Sequence, residues 1–482
     1  MVFKGLKPEA VWNYFEEICR IPRPSKKEDK IAAYLVEFAG KHGLEAKTDA
    51  IGNVLIKKPA FPGRESSPIV VLQSHMDMVC EKNADVEHDF DKDPIQPYVD
   101  GEWVKARGTT LGADDGIGMA AELALLVADD IEHGPLECLF TRDEETGLSG
   151  AFALEAGFFE GKILLNLDSE DEGEIFIGCA GGIDTVIEMP CKKTDTPKDS
   201  IALKIDVKGL QGGHSGDDIN KGRGNAVKIL TRLLWELHDK YRIDIAVFEG
   251  GNLRNAIARE AYAVIVAENK YKENIRVDFN IYASEMERVW EITEKNLNLR
   301  METVETPAKV LAPADTEKFL NAMYAVPHGV FSMSFRMPGM VETSTNLAAV
   351  KFKEDHILIT TSQRSDVDSE KLNIAHMVAA AFRPTGAKIV HGEGYPGWAP
   401  NPDSEILKIA VDSYKRLFGK MPVVRSIHAG LECGLFLEKY PGMDMISFGP
   451  TLRGVHSPDE KVEIKTVEMW WMHLTDILKY IV

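Results

Sequence analysis

The chain has 482 residues, 44% of them hydrophobic and 27% charged, with a formal net charge of −20. That balance is typical of a globular protein, and the length allows about three domains' worth of core without disulfides. The acidity argues against nucleic acid and anionic membrane surfaces as partners, since both repel a negative protein.

The opening MVFKGLKPEA has neither an apolar core nor a small-residue cleavage site, and no stretch approaches roughly 18 uninterrupted apolar residues. We therefore expect no secretion signal, no membrane span and a cytoplasmic location. The six cysteines are scattered and form no CxxC pair, so reduced thiols are expected.

Val11, Phe15, Ile18 and Cys19 recur at helical spacing, and a Pro-rich turn, IPRPS, follows. Ser25 can cap a second helix with Ile31, Tyr34, Leu35 and Phe38 on one face. Short apolar runs then end repeatedly in polar clusters. PIVVLQ leads into Ser74-His75-Met76-Asp77, LECLFT into Arg142-Asp143-Glu144-Glu145, KILLNL into Asp168-Ser169-Glu170, and MDMISF into GPTLRGVHSPDE. A Gly-rich turn, TTLGADDGIG, opens an apolar helix between the first two. This pattern predicts an α/β fold with a mostly parallel sheet and helices on both faces, its ligands gathered beyond the carboxyl ends of the strands. From about 186 to 389 strands and helices alternate without such clusters. The reading is a catalytic domain over 1–185 and 390–482, interrupted by an inserted α/β domain over 186–389.

His75, Asp114, Glu145, Asp168 and His456 each stand where a strand end or Gly-rich turn delivers a side chain to one edge of that sheet. Imidazole and carboxylate are the ligands of catalytic zinc, and paired ions need a bridging group. By residue type alone the set serves a metal centre and ordinary surface or core roles equally well. Asp77, two residues past His75, could fix the tautomer of a metal-bound imidazole. Other histidines, His133, His238 and His473 among them, are assigned ordinary core or surface roles.

Taken together, SHMDMVC, GADDGIGMA, TRDEETGLSGA, LLNLDSE, GGHSG and GVHSPDE resemble the M20 family of dinuclear zinc peptidases. IPRPSKKE and HAGLECG are similar to its aminoacyl-histidine dipeptidase branch, the Xaa-His dipeptidase, peptidase D or carnosinase-type enzymes. The resemblance implies two Zn²⁺ per chain, with Co²⁺ or Mn²⁺ as substitutes. His75 and Asp168 would bind one ion, Glu145 and His456 the other, and Asp114 would bridge. Asp77 would orient His75, and Glu144 would be the general base. Asp115 stands where close relatives are expected to have Asn, which leaves open which aspartate bridges; the register of the glycines favours Asp114. The inserted domain would be a lid whose His214 stabilises an oxyanion. Asn255 and Arg364 match substrate-binding positions, and His428 and Glu432 are candidates for recognising the substrate's ends.

The activity implied is a cytosolic dipeptidase acting on small peptides with a free N-terminus, Xaa-His (β-alanyl-histidine type) among them, in a chain that could form a homodimer. The same metal core serves deacylases, aminoacylases and Cys-Gly dipeptidases. A non-catalytic binding protein would be expected to lack a ligand or the base, and none is missing.

Overall fold

A computed structural model describes residues 2–482. The chain forms two compact units, the first comprising Met1–Gly178, Pro400–Ser426 and Leu431–Val482, the second Cys179–Ala399 and Ile427–Gly430.

The first unit is built on an eight-stranded sheet. Four central strands, Leu136–Thr141, Val70–His75, Ile163–Asn166 and Asp444–Ser447, run parallel. Val70–His75 and Leu136–Thr141 are buried at every position, as continuous apolar runs covered on both faces must be. Antiparallel strands flank them, so the sheet is mixed, with parallel pairing confined to its centre. Helix Ala113–Val127 is buried along almost its whole length and packs against the Val70–His75 strand and helix Glu9–Ile18. Phe3, Trp12 and Phe15 cluster beside it, with the Phe3 and Phe15 rings stacked 5.9 Å apart. A small sheet adds a hairpin, Leu452–Arg453 with Lys461–Glu463, whose loop carries His456.

The second unit is a nine-stranded antiparallel sheet, covered by the helices Ala226–Tyr241, Lys272–Trp290, Pro313–Ala325 and Asp368–Phe382. Strand Gly181–Pro190 pairs along its whole length with His356–Ser365 and also with Lys388–His391, so it lies wholly in this unit. Leu203, Ile205, Leu230, Leu234, Phe248 and Phe319 lie in one apolar core between sheet and helices. Among the described residues no helix is long and apolar enough to cross a membrane.

Candidate metal centre and substrate-facing residues

Parallel pairing places the chemistry-bearing residues at one edge of the first unit's sheet. His75 ends its strand and pairs with Thr141, so Glu144 and Glu145 emerge just beyond it. Gln73 pairs with Asn166, which brings Asp168 alongside from the next strand. Asp114 comes from the turn opening helix Ala113–Val127, and His456 from the hairpin loop, where it adopts a left-handed backbone, φ 61°.

Asp114 lies between two imidazoles. Its Oδ1 is 3.0 Å from His75 Nε2 and its Oδ2 is 3.3 Å from His456 Nε2. His75 Nε2 lies 3.6 Å from Asp168 Oδ1, and His456 Nε2 lies 3.0 Å from Glu145 Oε2. The five residues thus form two ligand groups that share Asp114. Glu145 Oε1 is buried without a hydrogen-bond partner. A ring of carboxylate oxygens facing imidazole nitrogens, with one such oxygen orphaned, is a donor set suited to divalent cations, and Asp114 is placed to serve two of them.

The electrostatics show how much negative charge is gathered here. Burial, with Asp114 nearby, pushes Asp168 up to about 7. Burial also drives Glu144 well above the usual carboxylate range, and Asp168, Glu145 and Glu432 add to it. Asp114 is buried too, yet hydrogen bonds from His456 and His75 hold it well below that range. The same contacts to Asp114 and Glu145 raise His456 to about 11.

Asp77 has more partners than its position after His75 suggests. Its Oδ1 lies 3.4 Å from His75 Nδ1 and accepts the Glu144 N–H at 3.0 Å. Its Oδ2 accepts from Glu145 N–H at 3.2 Å and Ser25 Oγ at 2.8 Å. Despite full burial these bonds lower it to about 2. One carboxylate therefore positions a ligand imidazole and the turn bearing Glu144 and Glu145. That turn is a buttressed structure and not a loose acidic loop. Asp143, at φ 51°, accepts from the Thr146 and Ser149 hydroxyls. Glu28 accepts the Asp143 N–H and pairs with Arg142 at 2.6 Å, and Asn53 Oδ1 accepts the Arg142 N–H. Ser25, expected to cap the second helix, donates to Asp77 instead, and helix Asp29–Lys41 has no side-chain cap. Glu28 and Asn53 escaped the sequence reading; IPRPSKKE gave a signal for Glu28, and nothing local marked Asn53.

Asp114 and Asp115 separate cleanly. Asp115 is buried and its Oδ1 accepts the Gly118 N–H, three residues along the helix, while Asp114 faces both imidazoles. Glu432 is fully buried, with Oε2 accepting from Gln73 Nε2 at 2.6 Å and Thr141 Oγ1 at 2.7 Å, and burial raises it to about 8. Glu170, named beside Asp168 but given no role, is pushed to about 8 by desolvation together with Asp114 and Asp168.

In the second unit, the Gly216 and Asp217 N–H groups both point at His214 Nδ1, at 3.3 and 3.2 Å. The Asp217 carboxylate lies 3.5 Å from the same nitrogen. Arg364 Nη2, a donor, is 3.5 Å from His214 Nε2, and Nη1 donates to Tyr395 Oη at 3.1 Å. Arg364 is largely buried, and its Nε has no hydrogen-bond partner. Strand pairing sets Arg364 opposite Ser344, which bonds His428 Nε2 at 2.8 Å. Burial, with Arg364 nearby, lowers His428 to about 3, so this imidazole is neutral. Asn255 is exposed, and its carbonyl accepts the Ser215 N–H beside His214 at 2.8 Å. HAGLECG is thus split, with His428 in the second unit and Glu432 in the first.

Residues 71–479 match the profile of Peptidase family M20/M25/M40. Over 476 residues the chain is 44% identical to the cytosol non-specific dipeptidase of Escherichia coli (strain K12), covering 99% of this chain and 98% of that one. It superposes on the crystal structure of aminoacylhistidine dipeptidase from Vibrio alginolyticus with a TM-score of 0.94 and 46% identity, covering 100% of this chain and 98% of that one. Aminopeptidase PepT from Bacillus cereus, at 17% identity and a TM-score of 0.57 over 98% of each chain, shares the fold alone. The resemblance read from the motifs is therefore borne out across the whole chain, which belongs to peptidase family M20/M25/M40.

Proposed function

We propose that this metallopeptidase is a cytoplasmic dipeptidase that hydrolyses short peptides with a free N-terminus, Xaa-His dipeptides among them. The observation that carries the reading is Asp114, which offers one oxygen to each imidazole of a five-residue donor set. Full-length relatives at 44% and 46% identity, named as a non-specific dipeptidase and an aminoacylhistidine dipeptidase, support the substrate class.

His75 and Asp168 would hold one Zn²⁺, His456 and Glu145 the other, and Asp114 both; Co²⁺ or Mn²⁺ suit the same O/N donors. When bound, such ions supply Lewis acidity and lower the pKa of water towards ~7. Glu144 is the proton carrier in this reading. It takes a proton from the attacking water and returns it to the leaving amine. Asp77 holds Glu144 by its backbone while orienting His75. His214 stabilises the developing oxyanion in this reading, a contribution typically worth about 3–4 kcal/mol. Arg364, a buried guanidinium, meets the substrate carboxylate through its planar fork. Asn255 and His428 complete the substrate-facing set; Glu432, read from the sequence as a candidate for the substrate's end, is instead buried against Gln73 and Thr141.

The test is Glu144→Gln together with a substrate panel. The variant is expected to retain its metal while turnover falls by about 10²–10⁴. The wild type is expected to cleave Xaa-His and other unblocked dipeptides and to leave N-acyl amino acids intact. Cleavage of N-acyl compounds alone would replace the dipeptidase reading with a deacylase one. Unchanged turnover in Glu144→Gln would remove the base assignment.

A further inference from the structure

Two motifs singled out in the sequence, IPRPS and GVHSPDE, each contain a buried charged residue to which the reaction above assigns nothing. Glu460 is 2% exposed. Its Oε2 accepts the N–H groups of Leu111 at 2.7 Å and Gly112 at 2.9 Å, and its Oε1 those of Ala113 at 2.8 Å and Asp114 at 3.3 Å. Successive backbone N–H groups converging on one point form an anion nest. Here the anion is a side chain of the chain itself, four residues beyond His456. The segment between is tied across by Glu460 N–H to Ser457 O at 3.0 Å and Ser457 Oγ to Gly454 O at 2.7 Å. Glu460 thus links the turn of Asp114 to the loop of His456.

Arg23 grips the same turn from another side and is 3% exposed. Its Nη2 donates to Gly112 O, and its Nη1 to Asp77 O and, at 2.9 Å, to Met76 O, just past His75. Gly112 sits at φ 69°, and a Cβ there would lie 2.7 Å from Arg23 Nη2 and 2.8 Å from Met78 Sδ. The glycine at this point of GADDG is therefore required by the guanidinium packed against it.

We propose that Arg23 and Glu460 are positioning residues for the metal centre: a pair of buried opposite charges that holds Asp114, the His75 strand end and the His456 loop in ligand geometry before any ion arrives. Neither touches the reacting atoms. Groups of this kind behind a metal ligand typically contribute ten- to a hundredfold in metal affinity. Because Asp114 is shared, loss of either clamp weakens binding of both ions. The inference rests on the proposed metal centre.

The experiment is cobalt(II) titration of the full-length metal-free protein, with the d–d absorption spectrum recorded and affinity measured against a competing chelator. Glu460→Gln and Arg23→Lys are each expected to bind cobalt at least tenfold more weakly for both ions, with altered d–d bands. Glu460→Asp, which keeps the charge and serves if the Gln variant does not fold, is expected to recover part of that loss. Glu137→Gln is the control. Glu137 is equally buried and accepts the Glu160 and Gly161 N–H groups at 2.7 and 2.9 Å, but it bonds no metal-bearing turn. It is expected to lose stability and keep wild-type cobalt affinity. Wild-type affinity and spectrum in Arg23→Lys and the Glu460 variants would overturn the clamp while leaving the metal centre standing. A wild type that binds no cobalt would overturn both.

Discussion

Asp114 and Asp115 are chemically identical neighbours with opposite surroundings. One faces two imidazoles, and the other caps its own helix through Gly118 N–H. Asp115→Asn keeps an oxygen for that N–H, so we expect metal content and turnover within about twofold of wild type. Asp114→Asn should lose at least one ion, as metal analysis after dialysis would show. Equal metal loss in the two variants would contradict the assignment. His473 illustrates the ordinary core role. It lies between Tyr414 and Phe448, donates to Ala410 O at 2.8 Å, and burial lowers it to about 4. Its folded pKa lies below the unfolded value of about 6.5, so the unfolded chain binds the extra proton. The stability this imidazole supplies is complete above about pH 6.5 and is lost as pH falls towards 4. The loss is up to about 1.4 kcal/mol per pH unit. His473→Gln should flatten that part of the pH–stability curve in urea titrations; a curve of unchanged slope would refute it.

At the scale of elements, the ligands are held by how strand ends and turns meet. Gly449, just past strand Asp444–Ser447, is an example. A Cβ there would fall 1.7 Å from Ser169 O, in the turn that carries Asp168. Gly449→Ala must push that turn aside. Overpacking of this kind costs typically 1–3 kcal/mol, and we expect both a lower Tm and weaker metal binding, measured by calorimetry and chelator competition. A variant matching wild type in both would show that the turn yields freely. The four-residue helix Glu144–Gly147 makes the same point from the other side. It is too short to persist alone, and Asp77, Glu28 and Asp143 hold it in place.

At the scale of the whole molecule, the proposed metal centre would link metal and fold in the first unit alone. Every proposed ligand lies there, whereas the core of the second unit contains none. An ion that binds only the folded state stabilises it by about 4 kcal/mol when present at a thousand times its Kd. Removing metal with a chelator should therefore speed amide exchange in 111–114, 143–146 and 454–460. Exchange in strands Ser200–Lys208 and Ala261–Glu268 should not change. Equal acceleration in both units would refute the linkage.

How far the sequence reached depends on the range of the physics involved. The buried parallel strands were legible because a strand covered on both faces must be apolar throughout, and PIVVLQ and LECLFT are. The polar clusters were legible because strand ends are where a sheet releases side chains to solvent and ligand. The five candidate donors could be listed on these grounds; the family resemblance distributed their roles and singled out Glu144. What only the tertiary structure decided was contact between residues far apart in the chain. It turned Asp115 away from Asp114, gave Asp77 two turns to hold, buried Glu432 beneath Gln73 and Thr141, and brought Arg23 and Glu460 to the same glycine. Hydrophobic periodicity is written locally in a sequence, residue by residue. A hydrogen bond between positions 112 and 460 leaves no local mark until folding brings them together.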